Sequence, residues 1–139
     1  EKIAGANVKA IRKGIERINY CDSKAVYLKE SARMLIDSFS GRVPDDIDEL
    51  VKLPGVGRKT SNLVLSEIHK KASITVDTHV HRISNVFGLV ETKSADDTER
   101  ELMKFIPRKY WSRINRLFVL WGKDVPGRDR ERLLNWING

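Results

Sequence analysis

Apolar side chains recur three and four positions apart along nearly the whole chain, as in Ile11, Ile15 and Ile18 and again in Ala25, Leu28, Ala32, Leu35 and Ile36. That spacing lines one face of a helix, whereas a half-buried strand needs alternation at every second residue, so the chain reads as all-α. The pattern predicts helices at 6–19, 23–38, 46–52, 58–70, 78–87, 96–105, 108–122 and 128–137, with only Ser73–Val76 extended. The breaks carry turn chemistry. Ser40-Gly41 ends the second helix, Pro44-Asp45-Asp46 opens the third with carboxylates that suit its N-terminal dipole, and Gly88 closes the fifth. The stretch from Val90 to Asp96 reads as a loop, and with no repeat and no clean linker the 139 residues are expected to form a single domain.

Composition narrows what such a helical chain can do. Hydrophobic residues make up 40% and charged ones 32%, which excludes collagen-like and strongly disordered chains. Cys21 is the one cysteine, so neither an internal disulfide nor a four-thiolate metal site can be built from these residues. Apolar runs such as Leu117–Trp121 are far short of the roughly 18 residues that span a bilayer, and no signal segment opens the chain; a soluble, intracellular protein without membrane partners is expected. Lys and Arg number 26 against 19 Asp and Glu, a net charge of +7 that favours a polyanionic partner. The excess is distributed, with a local concentration of 8 basic and 3 acidic residues between Arg108 and Arg132 that suits phosphate neutralisation.

The most specific local pattern is Leu50-x-x-Leu53-Pro54-Gly55-Val56-Gly57-Arg58-Lys59-Thr60-Ser61-Asn62, a helix, a tight turn and a helix, placed within residues 46–70. Pro54 stops the first helix, the two glycines are expected to adopt positive φ, and small Ser61 lets the helices approach closely. The turn then aims the amides of Val56, Gly57 and Arg58 outward at the positive end of the second helix, with Gly55 and Thr60 beside them. Such a site binds one DNA phosphate without reading sequence.

At these residues the chain resembles the helix-hairpin-helix DNA glycosylase superfamily, and within it the endonuclease III branch. The resemblance also covers Asp22-Ser23-Lys24-Ala25, Gly41-Arg42-Val43-Pro44 and Val76-Asp77-Thr78-His79-Val80 with Arg82, and so spans most of residues 5–122. It implies the all-helical fold of that superfamily, base-excision repair of double-stranded DNA containing damaged bases or abasic sites, and a lysine and an aspartate as catalytic pair. Lys59 stands at the nucleophile position and Asp77 at the carboxylate position, 18 residues apart. Lysine at that position implies the bifunctional class, which removes a base and then cleaves the abasic strand. Oxidised pyrimidines are the expected lesions, and a monomer associated with DNA (cytoplasm or nucleoid, if prokaryotic) the expected state. In some members main-chain carbonyls of the hairpin hold a monovalent cation; here these would be those of Val51, Leu53 and Val56.

The chemistry suits those residue types. A neutral amine attacks the anomeric carbon, and the resulting Schiff base permits elimination of the 3′ phosphate. A carboxylate stabilises cationic character at the sugar and relays protons. Asp77 also precedes a helical pattern, where aspartate is a preferred N-cap. His79 and His81, two apart on a helix, face different directions and do not suggest a metal site. Trp111, Trp121 and Trp136 recur with Ile114, Leu117, Phe118, Leu133 and Ile137 at helical spacing and are expected in the core.

Two departures from the superfamily pattern stand out. The branch usually carries four cysteines after the segment matching Gly122, holding a four-iron four-sulfur cluster, but here Pro126-Gly127-Arg128-Asp129-Arg130 follows, and a final helix is expected in place of the cluster loop. No iron-sulfur cofactor is therefore expected. The superfamily's first helices, with the glutamine-bearing segment that fills the gap left by a flipped base, also have no counterpart, so the chain reads as either a fragment or a reduced branch. A rival reading, a non-catalytic helix-hairpin-helix module that binds DNA for a larger assembly, explains the charge and the hairpin but leaves the Lys59–Asp77 spacing as coincidence.

Overall fold

The computed structural model describes residues 1–124 together with Glu131, Leu134 and Asn135. Every regular element among the described residues is helical: α1 (Lys2–Gly5), α2 (Val8–Gly14), α3 (Cys21–Phe39), α4 (Ile47–Leu50), α5 (Arg58–Glu67), α6 (Thr78–Val86), α7 (Ala95–Phe105), a 3₁₀ turn at Arg108–Tyr110, and α8 (Trp111–Asp124). Two compact units divide the chain, Glu1–Ser61 and Asn62–Gly139, with the division falling inside α5.

The first unit is organised on α3, against which α1 and α2 pack. The helix expected at 6–19 is shorter and restarted, because the Asn7 side chain accepts from Lys9 N at 2.9 Å and caps α2 at Val8. An ion pair of Arg12 with Asp22 joins α2 to the start of α3. Ser40 (φ 53°) and Gly41 (φ 74°) end α3 in left-handed conformations, as the sequence led one to expect. Asp46 Oδ1 accepts from the amides of Asp48 (2.9 Å) and Glu49 (3.2 Å) and so opens α4, which is only one turn long. Ala25, Leu50 and Leu53 are buried apolar side chains of this unit, together with Pro44.

The second unit is built on a core of Ile74, Val76, Val80, Val90, Leu102 and Ile114, with Met103, Ile106, Trp111 and Phe118 packed against it. Each fully buried aliphatic side chain of this kind contributes about 1.5–3 kcal/mol. The extended segment Ser73–Val76 is buried, and Asn115 Nδ2 donates to Thr75 O at 3.1 Å, so α8 satisfies a carbonyl that has no strand partner. Helix α5 stops at Glu67, three residues before its expected end, and Lys70 takes a positive φ of 54°. Trp121 lies 4.8 Å from Phe87 and 6.0 Å from Phe118 between ring centroids, and Trp111 Nε1 donates to Ile106 O at 2.8 Å, so both tryptophans pack as expected. Leu117, grouped with them at helical spacing, instead lies on the outer face of α8 and is 59% exposed. Trp136, Leu133, Ile137, the Pro126–Arg130 segment and most of the expected helix 128–137 lie outside the described residues.

Candidate active site

The hairpin turn in the first unit is local chemistry made explicit. Val56 N donates to Leu53 O at 3.0 Å across Pro54 and Gly55, and Gly55 takes φ 74°. Proline at the second position and a positive-φ glycine at the third are the signature of a type II turn. Two side chains of α3 fix this turn: Ser31 Oγ donates to Pro54 O at 2.9 Å, and Tyr27 lies so close under Gly55 that an added Cβ would stand 2.6 Å from Tyr27 Cδ2. Glycine is therefore required at 55 twice over, by dihedral and by contact.

Two expectations at this turn need correction. Gly57 does not adopt a positive φ, and nothing lies within 4 Å of a Cβ placed there. One left-handed residue already reverses the chain, and Gly57 instead opens α5: its carbonyl accepts from Ser61 N at 3.0 Å and from Ser61 Oγ at 3.1 Å. The Val56 amide, expected to face phosphate, is spent on the turn. The donors that remain for an anion are those of the first turn of α5, which a helix leaves without intrahelical acceptors. Exposed Lys59 and Thr60 stand in that turn, next to half-buried Arg58. The positive end of the α5 dipole adds to the attraction for an anion there. Gly55, Val56, Gly57, Arg58, Lys59 and Thr60 thus form one continuous surface of the first unit.

Asp77 belongs to the second unit and caps α6. Its Oδ1 accepts from the amides of both His79 and Val80, each at 2.9 Å. Oδ2 takes neither of these bonds, so one oxygen alone holds the carboxylate in a fixed orientation on the helix end. Capping and chemistry are compatible roles for one side chain. Helix α6 is in turn held by a side-chain network. His81 Nδ1 meets Thr98 Oγ1 at 2.7 Å on α7; Asn85 Nδ2 donates to His81 O at 2.8 Å; and Asn85 Oδ1 accepts from Thr92 N at 2.8 Å. A cavity of about 550 Å³ opens beside this network, lined by Thr78, His79, His81, Arg82, Asn85 and Thr92 among others. His79 packs on Gly122, where any Cβ would collide with its ring, and Arg82 Nη2 donates to Gly122 O at 3.3 Å. Among the described residues no group of three His, Cys, Asp or Glu side chains gathers as metal ligands.

A sequence profile of the HhH-GPD superfamily of base excision DNA repair proteins matches residues 1–108. The chain belongs to this superfamily. Endonuclease III of Thermotoga maritima is 48% identical over 102 residues, covering 73% of this chain and 48% of the relative. The endonuclease III homolog of Encephalitozoon cuniculi is 38% identical over 133 residues, covering 95% of this chain and 55% of the relative. Among solved structures, a trapped endonuclease III–DNA covalent intermediate matches with a TM-score of 0.83 at 38% identity, over 87% of this chain and 57% of that one. A thermostable thymine-DNA glycosylase matches with a TM-score of 0.76 at 25% identity, over 92% and 62%. This HhH-GPD chain spans about half the length of the curated relatives it matches.

Residues that position the site without carrying its chemistry were not legible in the sequence. Ser31 and Tyr27 look like ordinary α3 positions until the turn is seen resting on them. Asn62 Nδ2 donates to the buried Glu99 at 2.8 Å, and Ser73 Oγ donates to Asn62 O at 2.7 Å. These partners are 37 and 11 residues apart, and nothing local signals the pairing.

Proposed function

We propose that the protein is a base-excision DNA glycosylase with abasic-site lyase activity, in which Lys59 is the nucleophile and Asp77 the carboxylate. The observation that carries this reading is the lysine itself: an exposed amine in the first turn of α5, directly after a turn whose geometry is fixed from beneath by Tyr27 and Ser31. The hairpin anchors a phosphate of the damaged strand. The Lys59 amine, neutral when it attacks, bonds to the anomeric carbon as the base departs. The C1′–O4′ bond then breaks, O4′ taking a proton to become the C4′ hydroxyl, which leaves the protonated Schiff base at C1′; removal of a C2′ proton expels the 3′ phosphate by β-elimination. Asp77 Oδ2 stabilises the cationic sugar and moves protons, while Oδ1 remains on the α6 amides. Likeness to an endonuclease III caught covalently on DNA supports the assignment.

The substrate class in this reading is duplex DNA bearing oxidised pyrimidines or abasic sites, met by a DNA-associated monomer. The net charge of +7 supports it, and among the described residues no helix is long and apolar enough to cross a membrane. Four thiolates for an iron-sulfur cubane are not present in these 139 residues. A monovalent cation at the hairpin carbonyls of Val51, Leu53 and Val56 would reinforce phosphate binding. The test is strand scission of a duplex with a single abasic site: wild-type protein should leave a 3′ unsaturated aldehyde, and Lys59→Ala should not. Absence of scission by the wild-type chain would return the protein to the non-catalytic DNA-binding reading.

A further inference from the structure

Between Leu102 and Lys123 the sequence carries six basic residues and no carboxylate. Three of them, Arg113, Arg116 and Lys123, lie on one face of α8, a face that also carries the exposed carboxylate of the helix's last residue, Asp124. Ile114 is buried and Trp111 and Phe118 pack inward beside it, while Arg113, Arg116, Leu117, Leu120 and Lys123 are all exposed. At 100° per residue these five positions fall within an arc of about 120°, and exposed Lys109 in the preceding turn extends the line.

We propose that this face of α8 is a second, sequence-independent phosphate-binding surface, laid along a DNA backbone and carried by the second unit. The inference rests on the DNA-binding part of the proposed function and assigns it a second site. From Arg113 to Lys123 the helix rises about 15 Å, a length over which one DNA strand presents about four phosphates along the duplex axis, so the three cations of α8 can each meet a different phosphate. Leu117 and Leu120, 59% and 55% exposed between those cations, are placed to lie against deoxyribose carbons. An acidic polypeptide would satisfy the same charges, but membership of a DNA repair superfamily and a basic balance across the whole chain favour the nucleic acid.

The experiment is a titration of an undamaged 20-base-pair duplex with the full chain at several salt concentrations. The stripe variant is Arg113→Gln/Arg116→Gln/Lys123→Gln, and its charge-matched control removes exposed lysines elsewhere, Lys9→Gln/Lys70→Gln/Lys93→Gln. The slope of log association constant against log salt should become shallower by about 2–3 for the stripe variant, near 0.9 per lost phosphate contact, and by clearly less for the control. Arg113→Lys/Arg116→Lys should keep the wild-type slope, which separates lost charge from a damaged helix. A stripe variant with the control's slope would overturn the surface. So would a loss seen only with polyglutamate while the DNA slope stays unchanged. Strand scission run alongside keeps the two readings apart: if the wild-type chain cuts but the slope does not move, the surface fails and the catalytic assignment stands.

Discussion

Replacing Gly55 with alanine should destabilise the first unit by about 2–4 kcal/mol, and the structure supplies each contribution. The residue sits at φ 74°, where a side chain costs about 1–2 kcal/mol. The new Cβ would lie 2.6, 2.8 and 2.9 Å from Cδ2, Cγ and Cβ of Tyr27. Tyr27 is 43% exposed and its ring could swing outward, but its Cβ is fixed to the α3 backbone and cannot, so an overpacking cost of about 1–3 kcal/mol remains. Against this stands a gain of about 0.4–1 kcal/mol from restricting the unfolded chain. Gly57→Ala is the internal control. With no positive φ and nothing within 4 Å, it should change stability by no more than about 1 kcal/mol, the restricted unfolded chain offsetting alanine's poorer fit at the helix start. Urea unfolding followed by circular dichroism measures both, and DNA binding should fall with Gly55→Ala. If Gly55→Ala is no less stable than Gly57→Ala, the reading of the turn is wrong.

Asp77→Asn should separate capping from chemistry: asparagine caps as well as aspartate, so stability should change by less than about 0.5 kcal/mol, while abasic-strand cleavage falls by about 10²–10⁴-fold. Asp77→Ala should lose activity and also about 1 kcal/mol of stability, and an Asn variant with near-normal cleavage would remove Asp77 from the mechanism. At the start of α7, the Ser94 hydroxyl and then Arg100 hold the Asp97 carboxyl below its usual range. A depressed folded value means that this carboxylate stabilises at neutral pH and that its contribution is lost as pH falls through the acidic range. The small gap in melting temperature between wild type and Asp97→Asn should therefore close on acidification; a gap independent of pH would contradict the assignment.

The elements that were readable from the sequence are those whose signals are local. Asp46, Asp77 and Ser40-Gly41 mark helix ends because capping depends on a side chain and the amides two or three residues away. Gly55 was legible for the same reason, since proline followed by glycine defines its own turn. Gly57 departs from expectation because glycine is also tolerated where no special dihedral is needed, and only the backbone distinguishes the two cases. Leu117 was placed in the core because helical spacing recurs on both edges of an apolar stripe, and which edge is covered depends on the packing of α8 against α6. Supports such as Ser31 under Pro54, Thr98 on His81 and Glu99 on Asn62 were invisible because each pair is assembled by the fold.

As the nucleophile, Lys59 must form a covalent bond to the sugar. Incubating the chain with abasic duplex DNA and borohydride, then digesting the adduct and locating the modified peptide by mass spectrometry, tests it directly. One stoichiometric adduct is expected, mapped to Lys59 and absent from Lys59→Ala, with duplex binding by that variant largely retained. Undiminished trapping in Lys59→Ala, or an adduct mapped to any other amine, would contradict it.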